Sequence, residues 1–320
     1  MALGEIGGSS KAGISSPIYD LAAPICRRSR DLAAVDGRPF AAGTVLGTAL
    51  EKIQDTGSGI NPDDEPAAPN AWLFGPPTTL LQYIVDEQVI TSVTHRALLN
   101  VRATPLLLAI AREQIPNPTD QTKDAWQQLI NLSAGDFGFA EKEAATGFNT
   151  LFSHAAVGTW GAIETSIENT LLNHIRKVSD VETVIRTSAP TLKDKDLRRG
   201  LEGGAPGVLL KRWEGLLPDT LTTMGRQLLM LQAFGLYISL KPGSEQLLSE
   251  LAELRNVILH RGGVVDQRFK DKCPWRPDKI GDRMLVSHEL MGSYFDAAGD
   301  FAVMLIGAIA KSPYIYTAPS

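Results

Sequence analysis

Apolar residues in this chain return at spacings of three and four and never in sustained alternation, which confines it to helices packed on helices. The longest such pattern runs from Ala140 to Lys177. There Phe148, Phe152, Ala155, Trp160, Ile163, Ile167, Leu171 and Ile175 fall on one side, and Glu164 and Glu168 on another. Similar patterns cover Thr78 to Asn100, then Leu106 to Ile115 after Pro105, then Asp120 to Leu132 around Trp126. Trp213 to Leu217 and Leu221 to Leu240 add apolar helix, whereas Asp180 to Lys211 is less regular. Glu289 to Lys311 closes the chain with Phe295, Phe301, Met304 and Leu305 directed inward, after a short hairpin around Met284 to Ser287. The expectation is an all-α protein without internal repeats.

Length and punctuation divide the chain. At 320 residues it is long for one domain. Residues 1–16 are rich in Gly and Ser and read as a flexible N-terminus. Residues 17–135 read as a helical region of their own, with helices at Ile18 to Val35 (broken at Pro24) and Ala42 to Gln54, then a loop from Asp55 to Pro69. Residues 136–315 read as the second helical domain.

One segment carries a concentrated polar cluster. Ser244 to Asp266 reads SEQLLSELAELRNVILHRGGVVD. Leu247, Leu251, Leu254 and Ile258, with Leu248 beside them, mark an amphipathic helix. Ser244 follows Pro242-Gly243 as an N-cap, and Gly262 suits the left-handed residue that ends a helix near His260 or Arg261. Asn256 and His260 are four apart and share a face, with Glu253 a turn earlier on nearly the same line and Arg255 on the flank. A permanent cation, an amide and an imidazole within one small volume suit a phosphodiester. The guanidinium neutralises phosphate charge, and the imidazole moves a proton near neutral pH.

The run Arg255-Asn256-Val257-Ile258-Leu259-His260 resembles the motif of the HEPN superfamily: Arg, a polar residue, a short variable stretch, then His. The continuation Arg261-Gly262-Gly263-Val264-Val265-Asp266 is similar to the endings of some branches of that superfamily, the RiboL-PSP-HEPN and MAE-like ones among them. The resemblance implies a HEPN-like helical bundle, here with an additional helical N-terminal region. It also implies metal-independent cutting of RNA to a 2′,3′-cyclic phosphate, across a homodimer formed through the motif helix. In that reading Arg255, Asn256 and His260 are catalytic, Arg261 and Glu253 bind substrate, and no metal or other cofactor takes part. A setting in prokaryotic defence, as toxin or effector, would add an antitoxin or another defence-system protein as partner. The alternative implied by the same resemblance is a non-catalytic binding or dimerisation module.

The residues themselves also admit a purely structural role. Arg and His in the last turn of a helix interact with its free carbonyls and its dipole, and Arg255 lies within reach of Glu250 or Glu253. Other polar groups read as structural. His95 and Arg96 lack a carboxylate or thiol in register, His154 and His174 are twenty apart without partners, and Asp63-Asp64-Glu65 sits in a Pro-rich loop. Glu164 and Glu168 lack the Glu-x-x-His units that a di-metal bundle needs. Lys193, Lys195, Arg198 and Arg199 form a solvated basic face, and Gly200 to Gly207 lacks the Lys-Ser/Thr of a phosphate loop.

A net charge of −5 argues against broad nucleic-acid binding by the whole chain. Locally the sign reverses: Arg255 to Arg283 holds eight Lys or Arg against four Asp. Two cysteines, Cys26 and Cys273, supply no disulfide framework, and no secretory leader or membrane-spanning run is legible, so the expected compartment is the cytoplasm.

Overall fold

The structure is a computed structural model that describes residues 70–114 and 116–314. The two helices and the acidic loop expected before Asn70 lie outside the described residues. Those described form ten helices: α1 (Ala71–Glu113), α2 (Asp120–Ala145), α3 (Asn149–Lys177), α4 (Val181–Ser188), α5 (Asp194–Leu201), α6 (Pro206–Glu214), α7 (Thr223–Ala233), α8 (Ser244–Arg261), α9 (Gln267–Lys272) and α10 (His288–Ile309). No strand pairs among them beyond a single antiparallel bridge between Val264 and Arg283, in place of the hairpin expected around Met284. The all-α expectation holds.

The patterned stretches become helices, but proline and glycine act differently from expectation. Pro76, Pro77 and Pro105 all lie inside α1, which continues for 43 residues where two separate helices were expected. A helical proline frees the carbonyl four residues earlier. At Pro76 that carbonyl belongs to Trp72, and Asn173 Nδ2 of α3 donates to it at 2.8 Å. The side chain of Asn173 thus replaces the missing amide and ties α1 to α3.

The single helix expected from Ala140 is instead cut at Gly147-Phe148. Both residues take left-handed backbone, φ +66 and +61, and their amides donate to Ala144 O and Glu143 O. Phe148 accepts a conformation costly for a side chain because its ring is buried, edge-on to His95 with centroids 4.4 Å apart. Thr119, Thr222, Asp266 and Ser287 each accept an amide from the first turn of the helix they begin.

α3 is the central element, and every member of its expected apolar side is buried. α1, α8 and α10 all pack against it, and α10 also contacts both α1 and α8. The first half of α1 contributes Leu73, Phe74, Leu80, Leu81 and Ile84 to the same core as α3, α8 and α10. The division expected at 135 therefore falls inside α2, and α1 shares its core with the motif half. Met304, expected inside, is 37% exposed because it projects from the outer side of α10. Among the described residues no helix is long and apolar enough to cross a membrane.

Candidate functional site

α8 places the polar cluster. Its core face is Leu248, Leu251, Leu254 and Val257, with Leu247 and Ile258 only partly buried, so the apolar side is turned by about one residue from the expected stripe. Gly243, at φ +86, occupies the position before the helix, and Ser244 is its first residue without a side-chain cap. The far end follows the sequence closely. Gly262 and Gly263 take φ +60 and +79, and the amide of Gly263 donates to Val257 O at 3.1 Å. A Cβ at either would meet nothing within 4 Å, so it is the backbone angle that requires glycine.

The five expected site residues separate into three environments. Glu253 is buried, 5% exposed, and its carboxylate accepts from Thr223 Oγ1 of α7 at 3.1 Å and from Asn256 Nδ2 at 3.5 Å. It underpins Asn256 from inside, which corrects its expected part as a substrate-binding group. Arg255 and Asn256 are half-buried, and Arg255 Nη1 donates to Asn256 Oδ1 at 3.2 Å. The guanidinium also lies 3.9 Å from Glu164 Oε2 of α3, rather than against Glu250 or Glu253. His260 is exposed, and among the described residues no group hydrogen-bonds its ring. Arg261 is exposed and donates to Asp266 Oδ2 at 3.1 Å.

Five residues of α-helix rotate a side chain through about 500°, so Arg255 and His260 diverge by about 140°. Arg255 faces α3, and His260 faces solvent beside the exposed Leu259 and Val264. A ligand touching both would lie over Asn256, which sits between them on the helix surface.

The Gly-Gly-Val-Val-Asp tail also has a conformational explanation. Val265 is buried at 1%; its amide donates to Asp282 O, and its carbonyl accepts from Gly281 N. Asp266 caps α9 through Phe269 N while holding Arg261. These contacts fold the basic loop 273–286 against the end of α8.

Two features around the motif were not legible beforehand. The first is a buried network under it. Glu250, 3% exposed, accepts from Tyr294 Oη at 2.5 Å, Trp275 Nε1 at 2.7 Å and Arg276 Nη1 at 3.3 Å. Arg276 also donates to Asp278 Oδ2 at 2.8 Å. Burial, together with the Glu250 carboxylate, pushes the Tyr294 hydroxyl well above its ordinary range and keeps it a donor. A glutamate between core positions of α8 signals a buried partner, but the partner comes from a loop 26 residues on, which periodicity cannot locate.

The second is acidity beside Arg255. Burial raises the Glu214 carboxyl, with the nearby Glu164 and Glu168 adding to the effect and Arg226 opposing it. Of these carboxylates Glu164 is the one that reaches Arg255. Among the described residues no group of three or more His, Cys, Asp or Glu could hold a metal ion. Cys273 is buried and free, and burial raises its thiol to about 12.

Comparisons with family models, with curated proteins and with solved structures find no match. The functional reading therefore rests on these residues and on the motif resemblance.

Proposed function

We propose that the protein is a metal-independent endoribonuclease of HEPN type, acting in prokaryotic defence. The observation that carries the reading is the accessibility of His260, unbonded within the described chain, one turn beyond an Arg255–Asn256 pair that is itself held in place by Glu253 and Glu164. In this mechanism His260 takes the proton from a ribose 2′-hydroxyl, and the 2′-oxygen attacks the adjacent phosphorus as the bond to the 5′-oxygen breaks. Arg255 stabilises the charge on the phosphate, and Asn256 orients one of its oxygens. Protonation of the leaving 5′-oxygen falls to the second His260 of a homodimer formed through the motif helix. Arg261 contributes positive charge at the rim, where a phosphate would compete with Asp266 for its guanidinium.

The second reading is a non-catalytic HEPN-like module that binds or dimerises within a defence or toxin–antitoxin complex. The contact of Arg255 with Glu164 at 3.9 Å favours it, because a carboxylate beside the guanidinium lessens its attraction for RNA.

One experiment separates the two. Bulk RNA and a DNA of matched sequence are incubated with the full chain and with His260→Ala, with and without EDTA. The nuclease reading expects RNA fragments ending in 2′,3′-cyclic phosphate, unaffected by EDTA, and loss of at least a hundredfold in rate for His260→Ala. Uncut RNA, or equal cutting by the variant, leaves the binding module.

A further inference from the structure

Glu253 is buried under the motif, and its two carboxylate oxygens accept from two different helices. Oε1 accepts from Thr223 Oγ1 of α7 at 3.1 Å, and Oε2 from Asn256 Nδ2 of its own helix at 3.5 Å. Thr223 is placed by the turn before it. Thr222 Oγ1 accepts from Gly225 N at 3.0 Å, which starts α7 with Thr223 as its first residue.

The chemistry of these groups fixes a direction. A carboxylate only accepts hydrogen bonds, whereas an amide has a donating end and an accepting end. Glu253 therefore draws Nδ2 of Asn256 inward, and Oδ1 is left outward, where Arg255 Nη1 donates to it at 3.2 Å. With the amide turned the other way, Oδ1 would face the carboxylate and Nδ2 the guanidinium, two repulsive contacts in place of two attractive ones. Nδ2 also carries a second hydrogen, and this is the one left for a phosphate oxygen.

We propose that Glu253 and Thr223 are positioning residues of the motif: together they set which end of the Asn256 amide meets Arg255 and which meets a bound phosphate. Their effect on rate rests on the nuclease reading of this site, whereas the direction of the amide does not. Thr223→Val keeps the shape of the side chain but takes the donor from Oε1, and Thr223→Ser restores it. Glu253→Gln keeps the shape and brings a donor of its own, so the Asn256 amide is no longer held to one direction.

The test uses the full chain and two readouts. The first is the NMR spectrum of the asparagine side-chain amides, in which Asn256 is identified by its absence from Asn256→Ala. The second is kcat and KM for cutting of bulk RNA. Thr223→Val and Glu253→Gln are expected to move the Asn256 signal and to lower kcat about tenfold, with KM within about twofold of wild type. Thr223→Ser should return both to wild type, and Thr187→Val, at an exposed threonine of α4, should change neither. An Asn256 signal unmoved in both Thr223→Val and Glu253→Gln would overturn the proposal, as would an equal loss of rate in Thr223→Val and Thr223→Ser. A wild type that cuts no RNA would end the nuclease reading, and the amide signal would then decide the positioning role alone.

Discussion

Replacing Glu250 with alanine removes the acceptor of three hydrogen bonds at once, from Tyr294, Trp275 and Arg276. The arginine decides the magnitude. Its side chain is 13% exposed, and without Glu250 its remaining charged neighbour is Asp278, at 2.8 Å and 14% exposed. Breaking a buried pair by removing one partner costs about 3–5 kcal/mol, because an uncompensated charge stays behind. Asp278 retains part of the compensation, which favours the lower end, so the expectation is about 3 kcal/mol. For a domain of this size that corresponds to a melting temperature lower by roughly 6–12 °C.

Arg276→Met provides the control. Deleting the cation leaves Glu250 with two neutral donors, and the cycle closed by the double variant Glu250→Ala, Arg276→Met should return a coupling of about 2 kcal/mol. Calorimetry or chemical denaturation of the four proteins supplies the numbers. A Glu250→Ala protein melting within 2 °C of wild type would refute the argument that this buried carboxylate holds the loop from Cys273 to Asp282 against α8.

Two further outcomes follow from the packing. Gly200→Ala would gain about 1 kcal/mol of helix propensity in α5, but its Cβ would lie 2.4 Å from Leu209 Cβ, an atom fixed to the backbone of α6. Overpacking costs about 1–3 kcal/mol and should win, so urea denaturation is expected to show a net loss, and a gain in stability would refute the close approach of α5 and α6. His174 is fully buried, its Nδ1 2.7 Å from Thr170 O, and burial lowers its pKa below the usual 6.5. The unfolded chain then binds the proton more readily than the fold does. Stability contributed by the neutral ring is present above pH 6.5 and declines as pH falls below it, by at most about 1.4 kcal/mol per unit. His174→Phe, among Trp72, Phe234 and Tyr314, should flatten a urea-midpoint profile between pH 7 and 5; an identical slope would contradict this reading.

What the sequence determined by itself is local. Three-and-four spacing is a property of consecutive residues, so α3 from Phe152 to Ile175 and the end of α8 at Gly262 could be read directly. The order Arg255, Asn256, His260 was equally plain, and so was the candidate chemistry those residue types suggest. Only the tertiary structure decided what each side chain meets. Helix phase alone let Arg255 turn toward His260 or to Glu250 and Glu253; packing of α3 against α8 turned it to Glu164. Pro76 reads as a helix breaker until Asn173, 101 positions away, takes the carbonyl it frees. Glu253 reads as a surface acid until α7 covers it. The physical reason is the same throughout: a helix is closed by hydrogen bonds four residues apart, whereas burial and ion pairing depend on groups brought near by the rest of the fold.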